Sequence, residues 1–320
     1  MTAPLVTGAV AGPPAREPQR SRAGRPAARR RPWTARSLIP WAFLAPGLLL
    51  GLVFKFYPMI EGFRMSTVKV QPFLGDIFVG ADNYVRVLSD SRFRDALGHT
   101  VVLGLVQTLG ALVFGAVLAL LLEGQARRLW FVRTAVFLPV VTALAVVGEI
   151  WRILYFPTES GFLNQALGLL GVPPQQFLSD PSTALGYIAV VGIWTGAPYN
   201  MVIILAGLTG IDRTLYESAA LDGVSVRQRL RFIVLPALRP AVSVVLTLAA
   251  IRSLRTFTEV YVLTGGGPAG STEVWMTRVY SLGFQANDLG VASAASVLLL
   301  VATLVLTVVV RTLSNRKASA

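Results

Sequence analysis

Hydrophobic residues gather in six runs, at roughly 38–58, 100–122, 135–155, 184–206, 241–263 and 288–310. Each run is close to the ~20 residues that an α-helix needs to cross about 30 Å of hydrocarbon. None alternates apolar and polar residues over about ten positions, as the strands of an outer-membrane barrel do. Lipid cannot satisfy open backbone groups, so the pattern predicts six transmembrane helices and an all-α integral membrane protein. Between the runs, residues 59–99 predict a short cap with some helix, Phe73, Phe78, Tyr84 and Phe93 being spaced among polar residues. Residues 156–183, with Gly161, Gly171, Pro173, Pro174 and Pro181, predict turns around a short amphipathic helix.

Composition agrees with this pattern: of 320 residues, 54% are hydrophobic and 14% charged, against roughly a quarter charged in soluble domains. Cysteine is absent and His99 is the only histidine, which removes thiolate chemistry and the usual histidine metal clusters. The net charge of +13 reads as topology rather than as a nucleic-acid footprint. Arginine crowds residues 1–37 (Arg16 to Arg36) and recurs at Arg127, Arg128 and Arg133, from Arg213 to Arg239, and at Arg311, Arg316 and Lys317. The alternate loops hold only Arg64, Lys69, Arg86, Arg92, Arg94 and Arg278. The positive-inside rule then places both termini in the cytoplasm. Residues 1–37, rich in Pro, Ala and Arg, are expected to be a disordered tail. A twin-arginine export signal at Arg29–Arg31 competes with that reading but has no clear cleavage site after it.

The cytoplasmic loop 208–240, LTGIDRTLYESAALDGVSVRQRLRFIVLPALRP, is long enough to imply a function. Thr214 is placed to cap a helix from Leu215, with Glu217 in its first turn as a capping box. The helix ends at Asp222 and Gly223, where glycine allows a left-handed turn. A second, basic helix starts near Val226, and Pro236 and Pro240 lead into the fifth run. By pattern alone this is either a docking element or a cationic hairpin resting on lipid headgroups.

The string Glu217-Ser-Ala-Ala-Leu-Asp222-Gly223, followed by Leu235-Pro236, resembles the EAA loop of ABC importer permeases. Ser218 and Val224 stand where that pattern has alanines. The resemblance covers most of 38–310; FVGADNYVRVLSD, FLPVVTALAVVGEIWRILYFP and YVLTGGGPAGST are similar to the branch that carries maltose, oligosaccharides and glycerol phosphate. It implies the type I importer permease fold, with a coupling helix containing Tyr216, Glu217, Ala219, Ala220, Asp222 and Gly223, followed by Pro236. It also implies a second related permease, two ATP-binding cassette subunits that hold ATP and Mg, an extracellular solute-binding protein, and a place in the bacterial plasma membrane. No G-x-x-x-x-G-K-[ST] phosphate loop is present, so no cofactor and no hydrolysis are expected of this chain. The LTGGGP stretch reads as a tight turn. A secondary transporter would not need the EAA-like loop, and a membrane enzyme would need a nucleophile with its base, or a metal cluster.

Ionisable residues at membrane depth normally face a cavity or a partner. Glu149 and Arg152 are three apart and are expected to pair. Arg252, Arg255 and Glu259 fall at i, i+3 and i+7, predicting one helical face on which Arg255 and Glu259 neutralise each other and leave Arg252 free. By resemblance, Ala249, Arg252 and Ser253, with Gly192, Thr195 and Gly196, match positions that line the sugar path. The family pattern has an aromatic near Arg252 and larger groups near Gly192. Arg252 is expected to favour a polar or acidic sugar.

Overall fold

The computed structural model describes residues 35–71, 73–123 and 129–318. The tail expected over 1–37 lies outside them up to residue 34, as do Arg127 and Arg128. The chain divides into two units, residues 1–55 and 56–320. The first contributes α1 (Ala35–Gly51) and most of a π-helical turn, Leu52–Phe56. The second runs through α2 (Tyr57–Met65), a β-hairpin of β1 (Val68–Lys69) and β2 (Ile77–Phe78), α3 (Asp82–Ser89) and α4 (Ser91–Leu122). It continues with α5 (Trp130–Val141), α6 (Leu144–Leu154), α7 (Phe162–Gly168), α8 (Ala184–Thr209), α9 (Arg213–Leu221), α10 (Val226–Arg229) and α11 (Leu235–Ala237). The last elements are α12 (Arg239–Ser253), α13 (Thr258–Leu263), α14 (Trp275–Tyr280) and α15 (Leu289–Ala318).

Among the described residues four helical stretches are long and apolar enough to span: Pro40–Met65, Ser91–Leu122, Ala184–Thr209 and Leu289–Thr312. The count rises to six when each of two bent pairs is taken as one span. The third expected span is one such pair, and it is not straight: α5 and α6 meet at 102°. Pro139 lacks the amide that would extend the ladder, and the Thr142 hydroxyl donates to the Leu138 carbonyl at 2.9 Å, so α5 closes on a side chain. The fifth is also interrupted, since α12 ends at Ser253 and α13 begins at Thr258. The second is longer than its apolar run, because Asp90 caps α4 by accepting the Arg92 amide at 2.9 Å.

Lipid gives helices little hydrophobic reason to associate, so close packing through small residues carries the assembly. α4 lies along α8. A Cβ on Gly115 would come within 2.7 Å of the Ala197 carbonyl oxygen, so only glycine allows that approach. Near the Leu122 end of α4, Ala119 and Leu122 pack with Met201, Ile204 and Leu208 of α8 and with Val234 and Leu238. Toward the other end, Tyr155, Phe177 and Tyr187 cluster with ring centroids 5.1–5.2 Å apart. The cap over 59–99 is the hairpin and α3, joined by buried Asn83, which donates to the carbonyls of Ser66 and Val68 at 3.0 Å each. The glycine-rich stretch is a turn as expected, with Gly265 and Gly266 at φ +63° and +94°.

Candidate functional site: a polar cavity and an exposed helical loop

A cavity of about 400 Å³ lies among α4, the α5–α6 bend, α8, α12 and the non-helical link to α13. Gly192, Thr195, Gly196, Ala249, Arg252, Ser253, Arg255 and Glu259 all line it, although they come from two spans and from both sides of the helix break. The break changes how they relate. Arg252, Arg255 and Glu259 do not share one helical face, because residues 254–257 lie outside both helices. Among the described residues no ion pair joins Arg255 to Glu259. Glu259 instead accepts from Gln107 Nε2 of α4 at 2.9 Å.

Arg252 is not free either. Its guanidinium lies 4.2 Å from the ring centroid of Tyr199 on α8, a cation–π contact typically worth about 0.5–2 kcal/mol. The aromatic that the family pattern has near Arg252 therefore comes from the neighbouring helix. The small residue at 192 has a matching cause, because a Cβ there would overlap the Gln107 side chain. Gln107 fills the volume that a larger group at 192 would take. Thr195 and Ser253 donate to carbonyls of their own helices, leaving hydroxyl oxygens to accept from a solute. The lining thus combines hydroxyl, amide, guanidinium and carboxyl groups with an aromatic ring, a set that suits a polyhydroxylated ligand.

The loop after α8 forms two short helices. Its first cap differs from the expected one. Asp212, not Thr214, starts α9, with its carboxyl accepting the Thr214 amide at 2.9 Å, so Glu217 lies beyond the first turn. The aspartate two residues earlier reaches that amide and starts the helix sooner. The Thr214 amide and hydroxyl hold the Asp212 carboxyl below the usual carboxylate range. α9 ends at Asp222, and Gly223 has φ +66°. A capping box does occur at the next helix, between Ser225 and Gln228. Ala219 is buried while Glu217, Ala220, Leu221, Asp222 and Gly223 are exposed, and Pro236 is half-buried. Tyr216 turns inward: its hydroxyl donates to Glu123 Oε1 at 3.4 Å, and the Arg229 guanidinium sits 5.5 Å from its ring centroid. The inner side of the loop is thereby seated on the ends of α4 and α8.

Residues 111–319 match the family described as binding-protein-dependent transport system inner membrane component. The chain belongs to this family. The permease is 34% identical to the trehalose/maltose transport system permease protein of Thermococcus litoralis, over 84% of its own length and 91% of that protein's. It is 31% identical to the sn-glycerol-3-phosphate transport system permease protein of Agrobacterium fabrum, over 84% and 92% respectively. Its fold superposes with a TM-score of 0.77 on a chain from the crystal structure of a bacterial ABC transporter involved in the import of the acidic polysaccharide alginate. That match is 26% identical and covers 88% of this chain and 96% of the other. The permease is thus a helical, multi-pass membrane subunit of an ABC importer with the type I permease fold.

The expected pair of Glu149 and Arg152 is present at 2.9 Å. Sequence reasoning missed Gln107 and Tyr199. Gln107 carried a signal, an amide in the middle of an apolar run; Tyr199, in the fourth apolar run, carried none that tied it to Arg252.

Proposed function

We propose that this permease forms one half of the path by which a sugar or sugar derivative enters the cell. The observation that carries the proposal is the cavity, where Arg252, Tyr199, Gln107 and Glu259 meet hydroxyl-bearing residues between spans. The names of relatives that carry trehalose, maltose and glycerol phosphate support a hydroxyl-rich solute. Arg252, with no carboxylate at ion-pair distance among the described residues, favours a polar or acidic one. Gly192, Thr195, Gly196, Ala249, Ser253 and Arg255 form the rest of the path.

The exposed side of α9, from Glu217 to Gly223, seats in an ATP-binding subunit, and Tyr216, Ala219 and Pro236 hold it on the spans. ATP and Mg belong to two such subunits, and this chain binds no cofactor. A second related permease completes the path, and a solute-binding protein delivers ligand from outside, as the alginate transporter's crystallisation with its periplasmic protein supports. Residues 38–310 act as the permease domain in the plasma membrane, with residues 1–37 and 311–320 in the cytoplasm. Purification from the native membrane, with mass spectrometry of what accompanies the chain, tests this reading. An ATPase and a second permease are expected with the wild type, and Gly223→Pro is expected to lose the ATPase. A chain that emerges alone, or a variant that keeps every partner, would falsify it.

A further inference from the structure

α6 carries charge on a face that this chain leaves uncovered. Its inner side buries Val147 and Gly148, and a Cβ on Gly148 would meet Val262 of α13 at 2.7 Å. The opposite stripe, Val146, Glu149, Ile150 and Ile153, follows the i, i+3, i+4, i+7 spacing of a single helical face. All four are exposed, as is Arg152 at the edge of the stripe. The Glu149 and Arg152 side chains remain 50% and 57% exposed while joined at 2.9 Å.

The other outward faces of the same molecule differ. The exposed residues of α4 between 101 and 121 are all apolar, and so are those of α15 between 300 and 309. Those are surfaces that hydrocarbon can cover. Ionisable groups within spans are costly against lipid and face protein or water instead. α6 also begins at the cavity wall with Leu144, and that cavity is not closed by this chain, since Arg252 and Arg255 line it and are still exposed. A chain seated on α6 has both an ionic anchor and a cavity wall to complete.

We propose that the outward stripe of α6, centred on the Glu149–Arg152 pair, is the contact surface for a second permease subunit of related sequence. The inference rests on the two-permease reading above and adds which face meets the partner. Its complement is a transmembrane chain that presents hydrogen-bonding or charged groups at the depth of the pair.

The test is site-specific photocrosslinking in the complete transporter in its native membrane. A photoreactive residue replaces Ile153, and a control replaces Val305 on the apolar face of α15. Mass spectrometry of the Ile153 adduct is expected to identify a different chain of the same permease family, with lipid adducts alone from Val305. Arg152→Glu, which sets two acidic groups side by side, is expected to lower retention of the second permease after detergent extraction by about thirtyfold or more. The crosslink keeps the test decisive if that variant does not fold. If a second permease co-purifies but Ile153 reacts only with lipid, or with a further copy of this chain, the surface is wrong and the two-permease reading survives. If no second permease co-purifies, both are overturned.

Discussion

Gly192 and Gln107 divide one corner of the cavity wall, and each explains the other. A methyl group at 192 would overlap the Gln107 side chain, which is held in place by Glu259 at 2.9 Å. Gly192→Ala therefore overpacks the wall, at a cost of about 1–3 kcal/mol, or displaces Gln107 from Glu259. Gln107→Ala breaks the same contact from the other side. Thermal unfolding of the two single variants and the double variant is expected to show coupling of about 0.5–3 kcal/mol, the double costing less than the sum. Purely additive costs would mean that the two residues act independently. At Arg252 the prediction concerns function: Arg252→Ala is expected to reduce uptake and to alter preference between acidic and neutral sugars. Unchanged rate and preference in membrane vesicles would remove Arg252 from the path.

At the scale of the element, α9 stands on its two ends. At its start, the Asp212 carboxyl is stabilised in its charged form by the Thr214 amide and hydroxyl. A lowered native value means that the cap is fully present above the ordinary carboxylate range near 4, and is lost as pH falls through the lowered value. Amide exchange of the segment around Thr214, corrected for intrinsic rates, is expected to be constant from about pH 8 to 5 and to rise only below about 4. Asp212→Asn, which still caps, should remove the pH dependence, whereas Asp212→Ala should raise exchange at every pH. At the other end Gly223 has φ +66°, which the proline ring, fixed near −65°, cannot adopt. Gly223→Pro is thus expected to move the chain at the turn and uncouple the ATPase, while the spans still insert.

For the whole molecule, the distribution of arginine predicts which ends of the spans share a compartment. The chain has no cysteine, so single cysteines report on topology without background. An impermeant thiol reagent is expected to label Thr158→Cys in intact cells, and to reach Ser225→Cys only after the membrane is opened. The reverse pattern would invert the orientation derived from the positive-inside rule. The same arrangement would put the hairpin and α3 outside and α9 inside, with the cavity between them.

The six apolar runs, the short helix in 156–183, the glycine turn at 265–266 and the stop at Gly223 were all legible along the chain. Each depends on local properties: apolar length against lipid thickness, and backbone freedom at glycine. The Glu149–Arg152 pair was legible too, because three residues of helix bring two side chains together whatever surrounds them. The tertiary structure decided what depends on interruption and on neighbours. Periodicity assumes a continuous helix, so it could not anticipate the 102° turn between α5 and α6 or the break after Ser253. Those breaks, with the packing of α4 on α8, give Glu259 to Gln107 and Arg252 to Tyr199. Partners such as these, 152 positions apart in the case of Gln107 and Glu259, are set by how helices pack and not by the spacing within any one of them.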